Sequence, residues 1–134
     1  MIKYIRSLTT LLVLFLTIGY TQAQSPSAGE HAKRLFTGIW MDQKTTRYLE
    51  ISFEGDHATI IDWTSKFQKK ESGDIYKAFL KNGKLVMPED TEHRAPYSEI
   101  VSDKGKLIYL TKPIGVEMKS KWDKQIFVRS GARP

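Results

Sequence analysis

One alternation limits this chain more than anything else in it. Along Tyr48-Leu49-Glu50-Ile51-Ser52-Phe53, apolar and polar side chains change places at every step. Leu49, Ile51 and Phe53 therefore share one face, and Tyr48, Glu50 and Ser52 the other. A helix would scatter these residues around its circumference, whereas a strand with one buried face collects them. Glu54-Gly55-Asp56 follows as a turn, and His57 to Trp63 reads as the return strand, with the β-branched pair Ile60-Ile61 inside it. The same unit recurs down the chain. Ile75 to Leu80 and Lys84 to Met87 flank Asn82-Gly83, a dipeptide that accepts the positive φ angles of a tight hairpin, and Pro88 ends the pair. Tyr97 to Ser102 and Lys106 to Thr111 flank Asp103-Lys104-Gly105, and Trp122 to Arg129 is the last run. With Leu35 to Trp40 as the opening strand, the count is eight.

Short sequential connections imply antiparallel neighbours. A sheet of this kind must deal with its two edges, and closing it on itself removes them. The expected fold class is therefore all-β: a small antiparallel up-and-down barrel of about eight strands over residues 35–130. A partly open barrel and a two-layer sandwich are the alternatives. No repeat, low-complexity block or internal linker suggests a second domain.

The first residues have a different character. Lys3 and Arg6 precede a short apolar run, Leu8 to Ile18, and Thr21-Gln22-Ala23 places small residues at the −3 and −1 positions of a cleavage site. Residues 1–23 thus read as a secretory signal peptide. The apolar run is shorter than the roughly 20 residues of a spanning helix. Residues 24–34, rich in Ser, Pro, Gly and Ala at their start, read as a flexible tether in which His31 to Arg34 begins a short helical turn. Residues 131–134 are a tail. Cleavage after Ala23 leaves 111 residues, enough for one modest core.

There is no cysteine. Disulfides, thiol catalysis and cysteine-based zinc sites are excluded, so packing and sheet hydrogen bonds must supply the stability. Export without cross-links fits a periplasmic or secreted protein of a Gram-negative bacterium better than a eukaryotic secretory route. The net charge of +6 falls to +4 once Lys3 and Arg6 are removed. The remaining lysines cluster near turns, where solvated charge is the ordinary explanation. The aromatic and glycine pattern of RNA-stacking strands is missing, and no nucleic-acid partner is expected.

Gly38-Ile39-Trp40 near the start of the first strand and Arg129 at the end of the last resemble the closure of lipocalin-like, calycin-type barrels, in particular the compact ones exported by bacteria. In that family the tryptophan plugs one barrel end and an arginine of the final strand lies over its ring. The resemblance implies that Gly38, Trp40 and Arg129 close the barrel here. Attraction between guanidinium and indole explains such a pair, and glycine lets the backbone pass close to the ring. The chain is shorter than most lipocalins and lacks a Thr-Asp-Tyr segment in its second half.

Reactive chemistry is sparse. His31, His57 and His93 lack partners at ligand spacing, so no metal site is expected from them. Glu89-Asp90-Thr91-Glu92-His93 is acidic but lacks the donor alternation and glycine of an EF-hand, and reads as a solvated loop. Asp62 beside Trp63 suggests a carboxylate in an apolar cleft, but adjacent strand residues point oppositely, so Asp62 is expected to face water. No nucleophile elbow, phosphate loop or HExxH run is present. The chain reads as a non-enzyme without a cofactor. Trp40, Trp63, Trp122, Tyr76, Tyr97 and Tyr109 are expected chiefly to fill the core. A small apolar ligand would meet Leu49, Ile51, Phe53, Ile61 and Trp63 inside or at the mouth of the barrel. The competing reading is a monomeric interaction or inhibitor module with a filled barrel, contacting an envelope protein, by analogy with exported proteinase inhibitors of barrel fold.

Overall fold

The computed structural model describes residues 28–131. The proposed signal peptide lies outside them, as do residues 24–27 and 132–134. Eight strands form one closed antiparallel up-and-down barrel in chain order: β1 (Gly38–Asp42), β2 (Arg47–Glu54), β3 (His57–Thr64), β4 (Asp74–Lys81), β5 (Lys84–Met87), β6 (Ser98–Asp103), β7 (Lys106–Thr111) and β8 (Asp123–Arg129). Trp40 opposite Arg129 and Met41 opposite Val128 join β1 to β8. The Ser130 amide, donating to the Ile39 carbonyl at 2.9 Å, continues that seam.

The register divides the side chains cleanly. Leu49, Ile51, Ile60, Leu85, Ile100, Leu107 and Phe127 point inward, are fully buried and pack with Trp40 into a single core. The turns follow the sequence. Asn82 and Gly83 take φ of 50° and 77°, the paired positive angles of a tight hairpin whose twist matches its strands.

Two expectations need correction. Residues 28–34 do not form a tether: helix α1 spans Ala28–Phe36, and β1 begins at Gly38 rather than at Leu35. Phe36 explains both. It is fully buried in the core, so the helix is anchored at its last residue. Its carbonyl accepts from Trp40 Nε1 at 2.7 Å. A Glu30–Lys33 ion pair one helical turn apart adds modest support.

The two barrel ends differ. The end beneath α1 carries the two-residue turns 55–56, 82–83 and 104–105. The other end carries the connections 43–46, 65–73, 88–97 and 112–122, which are four to eleven residues long. Among the described residues, no helix is long and apolar enough to cross a membrane.

Candidate functional site at the open end

The closed end is corked. The Arg129 guanidinium lies 4.4 Å from the centre of the Trp40 ring. It donates to the Thr37 carbonyl at 2.8 Å and to the Arg34 carbonyl at 3.1 Å. The end of α1, the start of β1 and the end of β8 are thereby tied together. Gly38 has φ of +135°, and a Cβ there would stand 2.8 Å from Arg129 Nη1. The glycine makes room for the cork.

The open end is built around Arg47. It lies two residues before Leu49 on β2, so the same alternation that buries Leu49 turns Arg47 inward. Asp62 faces inward for the same reason, opposite Leu49 and two residues after Ile60. The expectation that Asp62 faces water is therefore wrong, and Trp63 takes the outer face instead. Two Arg47 nitrogens donate to the Asp62 carboxylate at 2.9 and 2.6 Å, a bidentate pair that offsets much of the cost of taking both charges out of water. A third nitrogen donates to Gln125 Oε1. Gln125 in turn donates to Asp42 at 2.8 Å, and Asp42 accepts from the Lys44 amide and the Thr45 hydroxyl. Burial opposes the charge on Asp42, but these hydrogen bonds outweigh it and hold its carboxyl below the ordinary range. Burial likewise works against the Arg47 charge, and Asp62 more than restores it.

Above this network lies an open cleft of about 1080 Å³. Arg47, Tyr76, Met87, Ser98, Tyr109 and Thr111 line its barrel side, and the 88–96 loop walls the other. The guanidinium sits 4.7 Å over the Tyr109 ring. The Tyr109 hydroxyl approaches Met87 Sδ at 3.6 Å. Burial raises the Tyr109 and Tyr76 phenols, so both are neutral hydrogen-bonding groups at pH 7. The cleft exists because β5 is short. It pairs with β4 only over Phe79–Lys81, so Asp74–Ala78 have no strand partner on that side. Pro88, without an amide hydrogen, cannot extend the ladder.

The residues expected to meet a ligand are not gathered here. Leu49 and Ile51 are buried in the lower core. Phe53 is half-buried towards the closed end, with Lys33 Nζ 6.0 Å from its ring. Ile61 and Trp63 face outward, which corrects their expected interior position. Trp63 is nonetheless buried, stacked on Tyr48 at 5.3 Å. An outer cleft of about 810 Å³ runs from Trp63 past the Glu50–Lys70 ion pair. Trp122 also lies outside the barrel, edge-on to Tyr97. The face of β3 was ambiguous because Ile60 and Ile61 are both apolar, and the counter-charge of Arg47 selects between them. Arg47 and Asp62 carried the one signal that could have found the site: each continues a buried face by two residues.

On the acidic loop, Asp90, Glu92 and His93 bring their ligand atoms within 4.8 Å of one another. All three are exposed, and Asp90 is already engaged by the His93 ring at 2.7 Å and by its amide. Those two hydrogen bonds lower the Asp90 carboxyl. Comparison with protein-family models, with curated proteins and with solved structures found no match.

Proposed function

We propose that this protein is an exported, lipocalin-like binding module that takes a small amphipathic molecule at the open mouth of its barrel and performs no reaction on it. The observation that supports this reading most is the contrast inside one barrel. The lower half is filled by fully buried side chains, while the upper half gives onto a cleft whose floor is a fixed guanidinium on a tyrosine. Tyr76, Tyr109 and Met87 offer aromatic and polarizable contact, and Arg47, Ser98 and Thr111 offer polar contacts at one edge. The ligand class is therefore amphipathic rather than purely apolar. On the barrel side of the cleft Arg47 and the neutral phenols are poor proton-transfer groups at pH 7, and the carboxylates and His93 of the facing wall are exposed to solvent, which favours binding over catalysis. The corked end and the eight-strand meander are compatible with a calycin-like fold and favour the lipocalin-like assignment. The signal-like residues 1–23 favour export to a bacterial periplasm or medium.

Native mass spectrometry of protein recovered from a bacterial envelope is the test. A retained small molecule, lost from a Thr111→Trp variant that fills the cleft, is the expected result. No retained species, together with no heat on titrating a metabolite panel into the protein, refutes the reading. A second reading, an envelope interaction module, is favoured by the unpartnered Asp74–Ala78 edge, which offers backbone groups to an added strand. A reproducible protein partner that competes with no small molecule would select it.

A further inference from the structure

Two of the connections at the open end share a construction. The 65–73 loop is braced at its base. The Gln68 side chain accepts from the Thr64 amide and donates to the Ser72 carbonyl at 3.0 Å, and Lys70 pairs with Glu50 on the outer face of β2. The 112–122 loop is braced likewise. Lys119 pairs at 2.5 Å with Glu99 on the outer face of β6, and Trp122 packs edge-on against Tyr97. Beside the braces, each loop presents large apolar side chains to water. Phe67 is 80% exposed, Met118 62% and Ile114 fully. A loose loop would be free to fold such residues back; these loops are held in a shape that displays them.

The charge around the rim is equally uneven. The two loops carry Lys66, Lys69, Lys70, Lys112, Lys119 and Lys121; ion pairs with Glu50, Glu117 and Glu99 engage Lys70, Lys112 and Lys119, which leaves Lys66, Lys69 and Lys121 against Glu71. Strand order places the 43–46 connection, with Lys44, between them, because β8 pairs with β1. The acidic 88–97 loop therefore lies across the rim from this basic arc.

We propose that the basic arc docks on an anionic phospholipid bilayer, with Phe67, Ile114 and Met118 entering the headgroup region. Each lysine outside an ion pair contributes about 1 kcal/mol near such a surface, and the acidic loop orients the arc towards the lipid. The apolar residues stand on two separate loops. A protein partner requires a continuous complementary surface, on the order of 1,000 Å² in total. A bilayer interface accepts separate apolar points.

The absence of cysteine makes a local test available. Single variants Phe67→Cys, Ile114→Cys, Met118→Cys and, at the closed end, Lys104→Cys are labelled with an environment-sensitive nitrobenzoxadiazole dye in the full chain. Each is mixed with vesicles of phosphatidylglycerol and phosphatidylcholine in equal parts, and with phosphatidylcholine alone. The expected result is a blue shift and intensity rise at 67, 114 and 118 on the anionic vesicles. The label at 104 stays unchanged. Phosphatidylcholine alone gives little response, and Lys66→Glu with Lys121→Glu reduces the response at 114 by well over tenfold in apparent affinity, since the loss of two lysines alone exceeds the 1.4 kcal/mol of a tenfold change. Local labels separate this docking from attachment through the apolar run Leu8 to Ile18. No shift at the three tips, an equal shift at 104, or a shift indifferent to lipid charge would overturn the proposal. Neither labelled tips nor vesicles involve the cleft, so small-molecule binding stands or falls separately.

Discussion

The two ends of this barrel solve opposite problems with the same residue type. At the closed end Arg129 lies over Trp40, and its donors go to backbone carbonyls of the chain that enters the barrel. At the open end Arg47 lies over Tyr109, and its donors go to side chains, Asp62 and Gln125. Backbone acceptors tie an arginine into the fold. Side-chain acceptors hold an arginine at the head of a cleft while leaving its surroundings open to exchange. The difference teaches that a guanidinium held on an aromatic ring is a structural element at one end, where it is exposed, and a candidate recognition element at the other, where it is half-buried, according to what accepts its protons.

The cork supplies the largest test of that contrast. Trp40→Ala removes the biggest fully buried side chain and is expected to cost about 3–5 kcal/mol, read from urea unfolding. The open end has its own clamp, and its weak point is acid. Burial alone would raise the Glu99 carboxyl, but hydrogen bonds from Lys119, Lys84 and Tyr97 outweigh it and hold it at about 2. A lowered carboxyl contributes stability that is present above its unfolded value near 4.5 and is lost as pH falls towards 2. Acid titration monitored by tyrosine and tryptophan emission is expected to show a loss of at most about 3 kcal/mol in that window. In Lys119→Met the transition should move to higher pH.

Arg47→Met comes next. It strands the Asp62 carboxylate inside the barrel and should cost about 2–3 kcal/mol, less than a fully buried pair because the mouth is partly hydrated. Adding Asp62→Leu should recover a good part of that cost. A double variant as unstable as the single one would mean that Arg47 stabilises by packing on Tyr109 rather than by charge. Gly38→Ala strains a φ of +135° and pushes a methyl against Arg129; about 1–2 kcal/mol is expected in the same unfolding assay. At the small end, Ile114→Ser alters a side chain that touches nothing and should change stability by less than about 0.5 kcal/mol. A larger loss would show that the 112–122 tip belongs to the fold.

Much of the fold was legible residue by residue. Lys84–Met87 and Lys106–Thr111 coincide with their expected strands, and Tyr48–Phe53 lies within β2. The helix was not, because composition at residues 24–30 suggested a tether, and the burial of Phe36 depends on strands far along the chain. The site was legible only in principle. Arg47 and Asp62 sit on buried faces by period two, yet charged residues at such positions read as exposed unless their partner is known, and the two are fifteen residues apart.

The amino-acid sequence by itself determined the strands and their turns, since alternation and turn chemistry act locally, while the cork of Trp40 and Arg129 was legible only through the resemblance of Gly38-Ile39-Trp40 and Arg129 to lipocalin-like barrels. Only the tertiary structure decided which face of β3 turns inward, where the barrel is full and where it opens. Those choices rest on pairing a buried charge with its counter-charge and on how far a short strand reaches along its neighbour. Both are properties of contacts between segments that no single segment encodes.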